Sequence, residues 1–172
     1  NYEGTSSSGN WGVSMFRGMD WKKFNIPSND LVKAFDDEQD NIRKTSSIIF
    51  DDVTGKWSDA NWPQSNYPFI NKYRLVDMPS PQNYIFMRLA DILLLKAEAM
   101  NELGDVVGAT ALVNQIRSRV SLANTSANTQ EAMRLTIEKE RRLELAFEGH
   151  RWFDLKRTGR AIEVMNNVKG PD

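Results

Sequence analysis

The chain has 172 residues, of which 40% are hydrophobic and 26% charged, with a formal net charge of −1 and no cysteine. That length suits one domain with a sizeable core. The near-zero charge excludes the basic excess of a nucleic-acid binder and any general pull toward anionic lipid, and the lack of cysteine excludes disulfides, thiolate metal sites and a cysteine nucleophile.

The aromatic residues are unevenly spread. Of 17 Phe, Trp and Tyr residues, 14 lie at or before Phe86. The expectation is an aromatic, loop-rich segment over 1–83 and a helical segment over 84–172. The first 27 residues mix Gly, Ser and Asn with Trp and Phe and read as loop. Ser28, after Pro27, is placed to cap a short helix "NDLVKAF", with Leu31 and Phe35 on one face. "TSSIIFDDVTGKWSD" reads as a short hairpin, with Ile48 and Phe50 before a turn at Gly55. "NWPQSNYPF" carries Pro63 and Pro68 and is expected to be irregular. "MPSPQN", residues 78–83, breaks the chain before the helical half.

From Tyr84 to Leu103 the pattern predicts a helix. Its stripe is Phe86, Leu89, Ala90, Leu93, Ala97 and Met100, and further apolar residues on other sides imply that it is mostly buried. Gly104 ends it and Asp105 caps a second helix with the stripe Ala109, Leu112, Val113 and Ile116. So short a link makes the two an antiparallel hairpin of tetratricopeptide length, about 34 residues. One such unit is not a stack, which needs about three, so later helices or neighbours outside this sequence must cover it. After a polar linker over 121–130, Asn128 or Thr129 caps a third long helix running to about Glu148. "HRWFDLKRT" gives a further helical segment closed by Gly159, and "AIEVMNNV" a last short one. The fold class expected is mainly α: a tetratricopeptide-like hairpin plus further helices, after an irregular first half with a short β-hairpin. The longest apolar run, Ile92 to Leu95, is far too short to span a bilayer. The chain begins at Asn1, and we expect a processed chain or a piece of a longer one, with any targeting segment upstream.

"ERRLELAFEGHRWFDLKR", residues 140–157, places Glu140, Glu144 and Glu148 in line on one helix side. Two carboxylates this close could serve a glycoside hydrolase. Catalytic pairs, however, usually face each other from different elements, and these sit among many arginines. Glu138 with Arg142, Arg141 with Glu144, and Arg151 with Asp154 or Glu148 stand at pairing distances along a helix. The stretch therefore reads as an ion network at a helix junction, provided that bases from elsewhere meet the aligned glutamates. His150 is the only histidine, without a nucleophile motif or a second histidine beside it, and reads as a helix-start residue. "DDVTGKW" lacks the alternating acids and closing glutamate of a calcium loop and reads as a turn. No Gly-rich phosphate loop is present. The sequence calls for no cofactor and no metal.

Trp11, Trp21, Trp57 and Trp62 all fall in loops or near turns. A loop tryptophan beside Asn or Ser offers a flat apolar face for a sugar ring and polar groups for its hydroxyls, as at Asn10–Trp11 and Asn61–Trp62. The competing reading is that they pin loops to the core.

"RLADILLLKAEAMNELGD", "ALVNQIRSRV" and "IEKERRLELAFEGHRWFDLKRTG" together resemble the C-terminal part of the SusD/RagB family. "IPSNDLVKAFDDEQDNIRKT" is similar to that family's proline-opened helix ending in acids and a basic pair, although its "gDpR" signature stands here as Gln39-Asp40-Asn41-Ile42-Arg43. "INKYRL" is similar to its recurring "KY" strand. The resemblance implies one C-terminal SusD-like domain over 1–172, with the N-terminal half of the family fold absent. It implies a non-catalytic, lipid-anchored protein of the outer-membrane surface that binds glycans, or sometimes peptides, and works with a SusC-like TonB-dependent transporter. It also implies that Arg88 to Val120 is a late helical pair whose Leu-rich helix stays partly exposed without its neighbours. The family's ligand contacts lie in aromatic loops, which makes Tyr2, Asn10, Trp11, Trp21 and Trp62 the candidate ligand-binding residues. The alternatives are a helical-repeat scaffold that binds a protein and a hydrolase using Glu144 or Glu148.

Overall fold

A computed structural model describes residues 25–74 and 83–167. The chain forms two compact units, one from residues 1–37 and 41–85, the other from 38–40 and 86–172. The described residues hold seven α-helices and one two-stranded antiparallel sheet.

The first unit opens with α1, Asn29–Asp37. The Leu31 N–H donates to Ser28 Oγ at 3.2 Å, so the expected cap forms. Val32 and Phe35 are its buried residues, while Leu31 is only half-buried. A second short helix, α2 at Asn41–Ser47, leads straight into β1 at Ile48–Asp51. The strand pairing with β1 is not the one expected. The chain loops from Asp52 to Pro63, makes a 3-10 turn at Gln64–Asn66, and returns as β2 at Tyr67–Ile70. Ile48 pairs with Ile70 and Phe50 with Pro68. The Asn71 N–H donates to Ser47 O at 2.7 Å, which fixes the alternation of the ladder. Phe50 and Pro68 then fall at a non-hydrogen-bonded pair, where a missing N–H costs nothing. The "YPF" run, expected to be irregular because of its proline, is therefore strand. The "KY" residues Lys72 and Tyr73 lie beyond its end, with Tyr73 buried. Val53, Tyr67 and Phe69 form the local core, with Ile26 and Trp62 packed on it.

In the second unit, α3 spans Leu89–Glu102 and α4 Val106–Ser118. The helix starts five residues later than expected, because Arg88 is extended (φ −150°, ψ 167°). The buried face is Ala90, Asp91, Leu94, Ala97 and Asn101, one step round from the predicted stripe. Ala90 and Ala97 belong to both, whereas Phe86 is 84% and Leu89 71% exposed. The helix is thus not buried all round: Ile92 and Leu95 are exposed too. Small alanines at the contact let helices approach closely. Gly104 takes the left-handed conformation (φ 87°) that closes a helix without Cβ strain. Asp105 then caps α4, its Oδ1 accepting from the Gly108 N–H at 2.8 Å. A Cβ at Gly108 would lie 2.1 Å from Met100 Cε and 2.3 Å from Asp105 Oδ2, so both side chains would have to shift to admit one.

Helix α5, Gln130–Glu144, is capped by Thr129, whose Oγ1 accepts from the Ala132 N–H. Met133 and Ile137 complete a core with Ala90, Leu94, Ala97, Ala109, Val113 and Ile116. Asn101 and Gln130 lock α3 to α5 by exchanging side-chain amide bonds to each other's carbonyl oxygens, at 2.9 and 2.7 Å. The helix stops four residues before the expected end. Phe147 has φ 66°, a left-handed conformation that a continuing helix forbids. The Glu144 carbonyl accepts from Arg88. Helices α6, Arg151–Arg157, and α7, Ala161–Asn167, follow as expected. No described helix is long and apolar enough to cross a membrane.

Candidate functional site

The aligned glutamates come first, because their chemistry decides between catalysis and structure. The Arg88 guanidinium reaches Glu144 Oε1 at 2.6 Å, and both oxygens of Glu148 at 2.8 and 2.9 Å. Burial alone would weaken this cation, but its bonds to Glu148 and Glu144 outweigh burial and raise its pKa. Arg117 bridges Glu140 at 3.0 Å and Glu38 at 2.9 Å, and Arg119 adds a 3.3 Å bond to Glu144. The bases that meet the glutamates thus come from outside α5, as aligned like charges require. Of the pairs expected along the chain, Arg151 feels the charge of Asp154, and further partners come from farther away. Glu138 pairs with Arg151 and Arg160 from downstream, and Arg141 with Asp91 and Asp154. Arg157 extends the chain of charges from Asp154 to Glu98.

A cleft of about 550 Å³ in the helical unit is lined by these same groups, among them Glu98, Glu138, Arg141, Asp154 and Arg157, over Leu135 and Ile137. A ligand there would have to displace charge-assisted pairs that already satisfy one another. No group of three His, Cys, Asp or Glu residues among the described residues could hold a metal ion. His150 stands just before α6 without a side-chain capping bond, and its Nε2 is buried without a hydrogen bond.

The loop between β1 and β2 has a different chemistry. Thr54 N–H donates to Asp52 Oδ1 at 2.7 Å, which turns the chain; the Thr54 side chain, and after it this backbone bond, lower the Asp52 pKa. Gln64 then holds the loop from inside. Its carbonyl accepts from Val53 N–H at 2.8 Å, and its Oε1 from Gly55 N–H at 3.3 Å. Its Nε2 donates to Lys56 O at 3.0 Å and Ser58 Oγ at 2.9 Å. Farther along, the Asp59 N–H donates to Tyr67 Oη at 3.1 Å. Burial, the larger cause, raises the phenol pKa against this bond. Asn61 N–H donates to Asp59 Oδ1 at 2.7 Å.

Two tryptophans of this loop have opposite surroundings. Trp62 is half-buried; its indole N–H donates to Pro27 O at 3.0 Å. Its ring meets Phe50 edge-on at 5.9 Å. Trp57 is 62% exposed. Of the residues expected to contact ligand, Trp62 therefore already serves as an anchor between segments 35 residues apart. Tyr2, Asn10, Trp11 and Trp21 lie outside the described residues. Trp57, not singled out as a contact from sequence, differs from Trp62 only through tertiary surroundings that no local pattern encodes.

Comparison with known proteins gives a consistent answer. The SusD family model matches residues 15–171. SusD-like protein P38 of Formosa agariphila is 45% identical over 114 residues, 59% of this chain and 22% of that protein. SusD-like protein P25 of the same organism is 29% identical over 187 aligned residues, 94% of this chain and 36% of that protein. The crystal structure of a SusD superfamily protein from Bacteroides vulgatus superposes with a TM-score of 0.68 at 25% identity. The match covers 84% of this chain and 36% of the other. The chain thus spans between about a fifth and about a third of the length of these relatives.

Proposed function

The chain belongs to the SusD family, and from that premise we propose that it binds oligosaccharide nutrients at the cell surface and passes them to a SusC-like TonB-dependent outer-membrane transporter. The family is known for glycan binding together with SusC transporters. The protein does no chemistry on its ligand: it stacks aromatic rings on sugars and hydrogen-bonds their hydroxyls. Attachment to the outer membrane is through a lipid anchor upstream of this sequence. Tyr2, Asn10, Trp11 and Trp21 are the proposed contacts, with Trp62 contributing whatever ring face its packing leaves open.

The observation that carries the non-catalytic reading is the engagement of Glu144 and Glu148 by one guanidinium. A general acid must be free to exchange a proton with the glycosidic oxygen. Side chains that are 4% and 0% exposed and clamped by Arg88 are not. Calorimetric glycan titration of the full-length protein tests the proposal. We expect binding without product formation, and Trp11→Ala weakening it about tenfold. Turnover that Glu144→Gln abolishes at unchanged stability would establish a hydrolase instead. One observation favours a second reading, a protein-binding scaffold: the exposed apolar residues Phe86, Met87, Leu89 and Ile92. Capture of soluble proteins by the full-length chain, with no glycan binding, would select it.

A further inference from the structure

The loop from Asp52 to Pro63 combines two properties that folding alone does not require. It is rigidly specified, yet it presents a large aromatic to solvent. Gln64 makes four hydrogen bonds to the loop, accepting from Val53 and Gly55 N–H and donating to Lys56 O and Ser58 Oγ. The far end is tied by Asp59 to Tyr67 and by the Asn61 carbonyl to Asn29 Nδ2 at 3.1 Å. Between these ties stands Trp57, 62% exposed, with no hydrogen bond from its indole N–H among the described residues. An anchoring tryptophan on the same loop looks different: Trp62 has its ring packed and its N–H satisfied. Leaving an indole in water gives up the burial that makes large aromatics stabilising. Tying down the loop beneath it removes in advance the ordering entropy that a ligand would otherwise have to offset.

We propose that Trp57 is a carbohydrate-stacking platform. Its exposed face takes the C–H face of a pyranose ring, and its free N–H donates to a sugar hydroxyl. Asn61, exposed on the same loop, supplies an amide for neighbouring hydroxyls. The loop carries Asp52, Asp59 and Lys56 in mixture, with no single-signed field, which fits a neutral sugar better than a polyanion. Gln64 is a positioning residue: it holds the Lys56 carbonyl before Trp57 and the Ser58 hydroxyl after it, and does not touch the ligand.

The inference rests on the glycan-binding reading, and the test separates the two. Full-length protein is titrated calorimetrically with maltoheptaose, cellohexaose, xylohexaose and laminarihexaose, alongside the Trp57→Ala and Trp57→Phe variants. The expected result is an affinity drop of about tenfold for Trp57→Ala, with Trp57→Phe retaining most of the binding and both melting as wild type. Quenching of tryptophan fluorescence by the bound sugar should shrink in parallel. Wild-type affinity in Trp57→Ala would overturn the platform while leaving glycan binding intact. No binding of any of the four sugars by the wild type would count against both. Unaltered sugar affinity with lost capture of the purified outer-membrane barrel would make Trp57 a protein contact and overturn the proposal.

Discussion

In the loop-rich unit the 52–66 segment is held by backbone groups, one glutamine, two aspartate turns and an edge-on ring contact; in the helical unit arginines and carboxylates hold the helix junctions. The difference lies in what each can release. Charge-assisted pairs in buried surroundings are strong and specific, and removing one partner strands the other. They suit a part that must not move. A loop tied by a few hydrogen bonds leaves the Trp57 ring exposed and can offer it to a ligand. The glutamate-rich stretch therefore marks a structural joint, and the binding chemistry proposed above is assigned to the tryptophans.

The sharpest way to break this comparison is Arg88→Met. It leaves Glu144 and Glu148 buried without their common cation, and we expect a loss of about 3–5 kcal/mol in urea unfolding. A loss under about 1 kcal/mol would mean that the network is ornamental and that its acids are available for other work. The matched change in the loop unit is Trp62→Ala. It removes a half-buried ring and the bond to Pro27 O, so about 2 kcal/mol should go, less than for a fully buried tryptophan. Trp57→Ala should cost within about 0.5 kcal/mol, as at other exposed sites. If the two tryptophans proved equal in stability, the distinction between anchor and platform would fall.

What the sequence disclosed follows the range of the interactions. The α3–α4 hairpin was readable because its signals are local: Gly104 and Asp105 at the link, and Ala109, Val113 and Ile116 at helical spacing. The strand at Tyr67–Ile70 was hidden, because Pro68 is tolerable only at one phase of the ladder and that phase is set by Ser47 and Asn71. The end of α5 was misplaced for a similar reason, since Arg88, 56 residues upstream, bonds the Glu144 carbonyl. The existence of an ion network could be inferred from composition and spacing. Its partners could not, because Arg88 and Arg117 come from other elements. At the candidate site, loop position alone could not separate Trp57 from Trp62.

A smaller effect sharpens the comparison from the backbone side. Gln39 belongs to the helical unit and has φ 57°, where its Cβ crowds the following carbonyl. Gln39→Gly should raise stability by about 0.5–1 kcal/mol, the relief of strain being partly offset by glycine's entropy. No gain in the melting temperature would mean that the neighbouring structure has already relaxed the strain.

The smallest effect concerns Glu38, which the helical unit pairs with Arg117 and with the half-exposed Lys139. Desolvation alone would raise this carboxyl, but hydrogen bonds from Lys139 and Arg117 outweigh it, and its pKa lies below the usual 4.5. A carboxylate depressed in the folded state binds its proton more readily in the unfolded one. Its contribution is therefore complete above about pH 4.5 and is lost as pH falls through the folded value. Lys139 is about half exposed, so solvent screening limits the contribution to about 0.5 kcal/mol at neutral pH. Glu38→Gln should leave stability at pH 7 nearly unchanged and flatten its fall below about pH 4.5. The loop-rich unit offers a built-in contrast: the carboxylate of Asp52 is also depressed, but only by Thr54 and in full solvent, so Asp52→Asn should leave the acid limb of the curve where it was. An equal flattening by both substitutions would show that exposed turns and paired helix junctions contribute alike to acid stability, against the division of labour between the two units.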